Sequence, residues 1–174
     1  MNARALMNAE RAWMSVAPVQ LNPAFGAGDA NNPQYRLAVG MNISNTGRTP
    51  ARILRSTLLY AWTDNSWPLP FTPVYLPEEI TIHSGLLLMP NSQPIAHIAF
   101  LKPFDVLTVE QVEAVKDRKA FVYAYGFVEY RDVFDEKVVH ETRFCYVYNF
   151  PQPGEPQFLK GLMPGGPEGY NKAT

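Results

Sequence analysis

Three histidines, one cysteine and one polar hairpin hold most of the chemistry that this 174-residue sequence could perform. His83, His97 and His140 are candidate metal ligands, but no two stand at i, i+2 or i, i+4, so a shared ion would need the fold to gather them. Scattered surface or rim histidines account for them more simply. Asp132 and His140 form the one candidate acid–base pair. If Ala120 to Tyr148 is a β-hairpin with the three-residue loop Asp135 to Lys137, then Asp132 faces His140 and Tyr130 faces Thr142. With Glu141 alongside, such a pair could serve a hydrolase or a metal-dependent enzyme. Plain cross-strand pairing is the favoured reading, because a one-residue slip undoes the contact and no nucleophile is forced beside it. Cys145, between Phe144 and Tyr146, reads as an inert strand residue, with only Arg143 close enough in sequence to lower its pKa. No catalytic, metal-binding or cofactor-binding residue is assigned, and no cofactor is expected.

Binding offers a better candidate than catalysis. Thr63 to Pro77 carries Pro68, Pro70, Pro73 and Pro77 interleaved with Trp67, Phe71 and Tyr75. The prolines bar it from a central strand, and rigid aromatics outside a sheet can form a contact patch for sugar, peptide or lipid headgroup. Against that stands a plug, in which the loop folds over an open end of the domain and buries the rings; it is the favoured of the two. Gly165-Gly166-Pro167-Glu168-Gly169-Tyr170-Asn171 lacks the strand-then-helix setting of a phosphate loop and reads as a docked segment.

The elements that must position these residues are mostly strands. The hairpin AFVYAYGFVEYRDVFDEKVVHETRFCYVY is two aromatic and β-branched runs around Asp135-Glu136-Lys137. Tyr35 to Ser44 alternates cleanly, with Leu37, Val39, Met41 and Ile43 on one face. Trp13 to Leu21, Arg52 to Trp62, Glu79 to His83, Gly85 to Met89 and Gln93 to Leu101 are further strand candidates, separated by the turn-rich Asn22 to Pro33 and by Asn45 to Ala51. Thr108 to Lys119 is the one helix: Thr108 can cap it, Gln111 completes a capping box, and Val109, Val112 and Val115 share a side. Five prolines and five glycines crowd Pro151 to Thr174, which reads as an irregular tail.

Hydrophobic residues make up 47% of the chain and charged residues 18%, with 15 Lys+Arg against 16 Asp+Glu. That balance excludes nonspecific polyphosphate binding, so nucleic acid is not an expected partner. No apolar run approaches the roughly 20 residues a bilayer span needs, and the first residues lack the apolar core of a signal peptide. A single cysteine excludes an internal disulfide.

AERAW at Ala9 to Trp13, NTGRTPA at Asn45 to Ala51, and YRDVF followed by HETRFCYVY within Tyr130 to Tyr148 resemble a group of uncharacterised bacterial proteins. The resemblance spans roughly residues 9 to 148 and implies a β-sandwich domain placed after one or two N-terminal membrane helices. It carries strand and turn motifs with no assigned catalytic roles. Here only Met1 to Asn8 precede AERAW, so the anchor is expected to be lost, miscalled at the start codon, or absent from a soluble variant; an upstream anchor would make the domain periplasmic or membrane-tethered.

The expectation is therefore an all-β, immunoglobulin-like antiparallel sandwich of seven or eight strands with one short helix. Residues 1–12 form a lead-in, 13–150 the sandwich and 151–174 the tail. Its expected function is a noncatalytic binding or interaction module of a bacterial cell envelope, acting on a protein or small ligand through Trp67, Phe71 and Tyr75. The alternatives are an enzyme built on Asp132 and His140, or a structural domain that oligomerises through an edge strand such as Glu79 to His83.

Overall fold

Alternating apolar residues build the first of two sheets. Met14 and Val16 are buried in β1 (Met14–Val19), and Val39, Met41 and Ile43 in β2 (Ala38–Asn45). β2 lies between β1 and β6 (Ile95–Phe100), antiparallel to both. The computed structural model describes residues 11–19, 38–64, 68–100, 107–150, 154 and 161–174. Leu37 and Trp67 lie outside them.

The second sheet has seven strands and three long antiparallel members: β3 (Ala51–Asp64), β7 (Ala120–Asp132) and β8 (Asp135–Asn149). The short β4 (Thr81–Ile82) and β5 (Leu87–Leu88) both pair with the outer edge of β3. β9 (Gly161–Pro164) and β10 (Lys172–Ala173) both pair with β8. The tail read as irregular thus contributes two strands within residues 161–174. Its composition hid them, because they are too short for periodicity and exist only where β8 supplies the hydrogen bonds.

Even-numbered β7 residues, Ala120, Val122, Ala124, Val128 and Tyr130, face the three-stranded sheet and form the shared core with Met14, Met41 and Ile43. Burial of each large apolar side chain contributes about 1.5–3 kcal/mol. On β3 the phase changes at a bulge: Ile53 pairs with Tyr130 but Arg55 with Glu129, leaving Leu54 as the extra residue. Ala51 and Ile53 before it are buried, as are Ser56 and Leu58 after it. Across the core, Tyr146 donates its hydroxyl to the Val16 carbonyl at 2.5 Å and Thr142 to the Met14 carbonyl at 3.4 Å. Gly126 has no room for a side chain, since a Cβ would stand 2.0 Å from the Thr57 carbonyl oxygen. The chain is an all-β antiparallel sandwich, with one short α-helix among the described residues.

That helix, α1 (Val109–Lys116), starts with the expected capping box: Gln111 N–H donates to Thr108 Oγ1 at 3.3 Å and Thr108 N–H to Gln111 Oε1 at 2.9 Å. Val112 and Val115 are buried, whereas Val109 faces solvent in the first turn. Lys116 is the last helical residue, and Arg118 turns the chain into β7 with φ of 58°.

Candidate functional site

The hairpin register differs from the expected one, and with it the acid–base pair. Val133 and Phe134 form the turn, so His140 faces Tyr130, Thr142 faces Val128 and Asp132 faces Asp135. Between the Tyr130–His140 and Asp132–Asp135 pairings, Arg131 alone on β7 is matched by Glu136 to Val139 on β8. Asp132 therefore does not stand opposite His140. The polar run Asp135 to Lys137 resembles a loop but extends the strand, because a two-residue turn is enough to reverse an antiparallel pair.

Asp132 is instead the joint of three distant segments. Its Oδ2 accepts from Ala12 N–H at 2.9 Å and from the Thr49 hydroxyl, and its Oδ1 from Phe134 N–H at 2.9 Å. Burial pushes this carboxyl up, but the donors from Thr49, Phe134 and Ala12, with His140 nearby, outweigh it and hold its pKa below the ordinary 3.8. The loop beside it is fixed by Asn45, whose side chain donates to the Thr49 and Leu88 carbonyls at 2.7 and 3.0 Å and accepts from Gly47 N–H at 3.0 Å. A Cβ on Gly47 would come within 2.3 Å of the Arg11 carbonyl oxygen, so only glycine lets the loop lie against the lead-in. Arg11 stacks over Trp13, 3.6 Å from the ring centre. Residues 11–13, from the AERAW motif, thus meet NTGRTPA and YRDVF at one end of the sandwich.

The other titratable groups do not assemble a reaction centre. His140 is buried, stacks 5.4 Å from the Tyr130 ring and holds the Thr174 backbone oxygen at 3.0 Å through Nδ1. Glu141 projects from the opposite face of β8 and pairs with Arg143 at 2.6 Å. His97 sits on β6 opposite Met41. His83 meets Ser56, with Oγ and Nε2 2.8 Å apart, a contact that links β4 to β3 and that nothing in the spacing of these residues announces. Burial lowers the His83 pKa and favours the neutral ring, so the Ser56 hydroxyl can donate to it. This is the geometry of a nucleophile and its base, yet Ser56 is 0% exposed and no substrate reaches its oxygen. Among the described residues no group of three His, Cys, Asp or Glu side chains could hold a metal ion.

The opposite face of the large sheet carries a row of rings from odd-numbered β7 residues, Phe121, Tyr123, Tyr125 and Phe127. Two segments cover it. From the proline-rich side, Tyr75 packs on Phe127 at 4.8 Å and on Tyr125 at 6.2 Å, while Phe71 remains 75% exposed. Of the expected aromatic trio, Tyr75 is therefore a plug and Phe71 faces solvent. From the C-terminal side, Tyr170 stacks edge-on against Tyr125 at 5.1 Å. Asn171 pins this cover, accepting from Cys145 N–H at 2.9 Å and donating to the Gly165 carbonyl at 2.8 Å. Gly166, at φ of 90°, lies so close that a Cβ would stand 2.4 Å from Cys145 Sγ. Burial pushes the Cys145 thiol up to about 12, which fits an inert thiol.

The two covers part over the start of β7 and leave a cleft of about 390 Å³ lined by Thr63, Asp64, Pro68, Leu69, Phe121, Tyr123, Gly166 and Pro167. Thr63 pairs with Phe121 across β3 and β7, and the Phe121 and Tyr123 rings stand 6.2 Å apart at 41°. The sequence marks Pro68 and the Gly165-Gly166-Pro167 run as loop signals, but nothing in it says that segments about 100 residues apart flank the same two rings. Compared with family models, curated proteins and solved structures, the chain matches none.

Proposed function

We propose that this chain is a noncatalytic binding module of a bacterial cell envelope, held at one end through its lead-in and binding a ligand at the other. The observation that carries the reading is the placement of the cleft. The Asp132 joint secures residues 11–13 at the far end of β7, and from Tyr123 to Asp132 that strand runs about 30 Å at roughly 3.3 Å per residue. A module tethered through its lead-in would therefore present the cleft away from the tether. The cleft has the mixed lining of a small-ligand site, two half-buried rings with a few polar groups at the rim. The envelope setting rests on the resemblance of AERAW, NTGRTPA and YRDVF. Among the described residues no helix is long and apolar enough to cross a membrane.

An NMR fragment screen on the isolated protein tests the reading. The expected result is a set of ligands that shift the amides of Phe121, Tyr123 and Gly166 without being consumed. Ligands that map consistently to another surface, or turnover of an ester that Ser56→Ala abolishes, would overturn it. Oligomerisation through β4 is the weaker reading, since a two-residue edge strand offers few free backbone groups to a partner.

A further inference from the structure

Taking the cleft as the binding site, the geometry points to a ligand bearing a substituted ammonium group, seated over Phe121 and Tyr123 and facing Asp64. Ring faces are negative, and a cation within about 6 Å of a ring centre is attracted to it. Phe121 and Tyr123 lie on one face of β7, with ring centres 6.2 Å apart, so one ammonium can sit within that range of both.

The lining sets the sign of the ligand. Among the described residues that line it, Asp64 is the only carboxylate and there is no Lys, Arg or His. An anion would meet a carboxylate and two negative ring faces. A saccharide would find few side chains to hydrogen-bond, since among the described lining residues only Thr63, Asp64 and Tyr123 carry polar side-chain atoms. A wholly apolar ligand would strip water from Asp64 without replacing it, which is costly. A substituted ammonium satisfies the rings and the carboxylate together. Asp64 has a partner within the chain, and a carboxylate with about four lone-pair sites can hold that partner and a ligand at once.

The walls are built to keep their shape. Pro68 and Pro167 stand on either side, and Gly166 is held against Cys145 and lies 3.9 Å from the Tyr123 ring at the position its Cβ would take. A volume of about 390 Å³ exceeds an ammonium head and leaves room for the rest of a small molecule or for a modified lysine side chain.

The test is an NMR titration of the full chain with choline, with its uncharged carbon isostere 3,3-dimethylbutan-1-ol, and with glucose. Choline is expected to shift the amides of Phe121, Tyr123 and Gly166, and the isostere to bind about tenfold more weakly or worse. Asp64→Asn is expected to weaken choline by about tenfold. If that variant fails to fold, the comparison of choline with its isostere on the wild-type chain still decides. Equal binding of the two, or tighter binding of glucose at the same amides, would overturn the cationic ligand and leave the cleft as a binding site. No shift at those amides with any of the three would overturn both.

Discussion

At Asp132 both carboxylate oxygens are committed to chain geometry, one to Ala12 and Thr49 and the other to Phe134. A buried acceptor serving several donors stabilises mainly because its removal strands them: Ala12 N–H and the Thr49 hydroxyl would lose their charged partner. Asp132→Ala is expected to cost about 2–4 kcal/mol in urea unfolding, and Thr49→Ala less, since it removes one donor only. An unchanged midpoint for Asp132→Ala would contradict the joint. The folded pKa lies below 3.8, so this stabilisation is complete above that value and is lost as pH falls through the folded one. Asp132→Asn should therefore flatten the acid limb of a stability-against-pH curve. The sequence offered Asp132 as the cross-strand partner of His140, with acid–base chemistry only as an alternative, and that pairing does not form. Its real partners stand 120 and 83 residues away, and no local pattern encodes such separations.

Among the elements, the long strands announce themselves by alternation, and the short ones do not. β9 and β10 exist because β8 offers a free edge, and the cover they flank is fixed by Asn171 and by the missing side chain of Gly166. Gly166→Ala would force a Cβ into Cys145 Sγ and strain a backbone at φ of 90°, a combination expected to cost more than about 1 kcal/mol. The cover should then open more often and expose Cys145. Wild-type protein should react slowly with a thiol reagent, because the thiol is buried and pushed up to about 12. Gly166→Ala should react about tenfold faster with the rest of the fold intact by circular dichroism. An unchanged labelling rate would mean that the cover does not shield Cys145.

On the scale of the whole molecule, the second layer of rings shapes the response to pH. Burial raises the phenols of Tyr75, Tyr125 and Tyr170, the last to about 12, above the ordinary 10.0. Groups with raised folded pKa values stabilise fully below the unfolded value, and the contribution is lost as pH rises past it. Stability is expected to hold up to about pH 10 and to fall above it, with tyrosinate absorbance and loss of near-UV ellipticity rising together. Tyrosinate formation well before any structural change would mean that the rings are not covered. His83, with a lowered pKa, adds a gentler slope of opposite sign: its contribution is full above 6.5 and declines as pH falls below. Periodicity by itself determined the all-β class, the β7–β8 hairpin, the apolar face of β2 and the capped helix, because each is written in residues close together along the chain. It also determined that nothing here has the spacing of a metal site or a phosphate loop. Tertiary structure alone decided the hairpin register, the Asp132 joint, the Ser56–His83 contact and the cleft between the two covers. Each of these depends on which distant segments share one face of a sheet, and that is settled by packing.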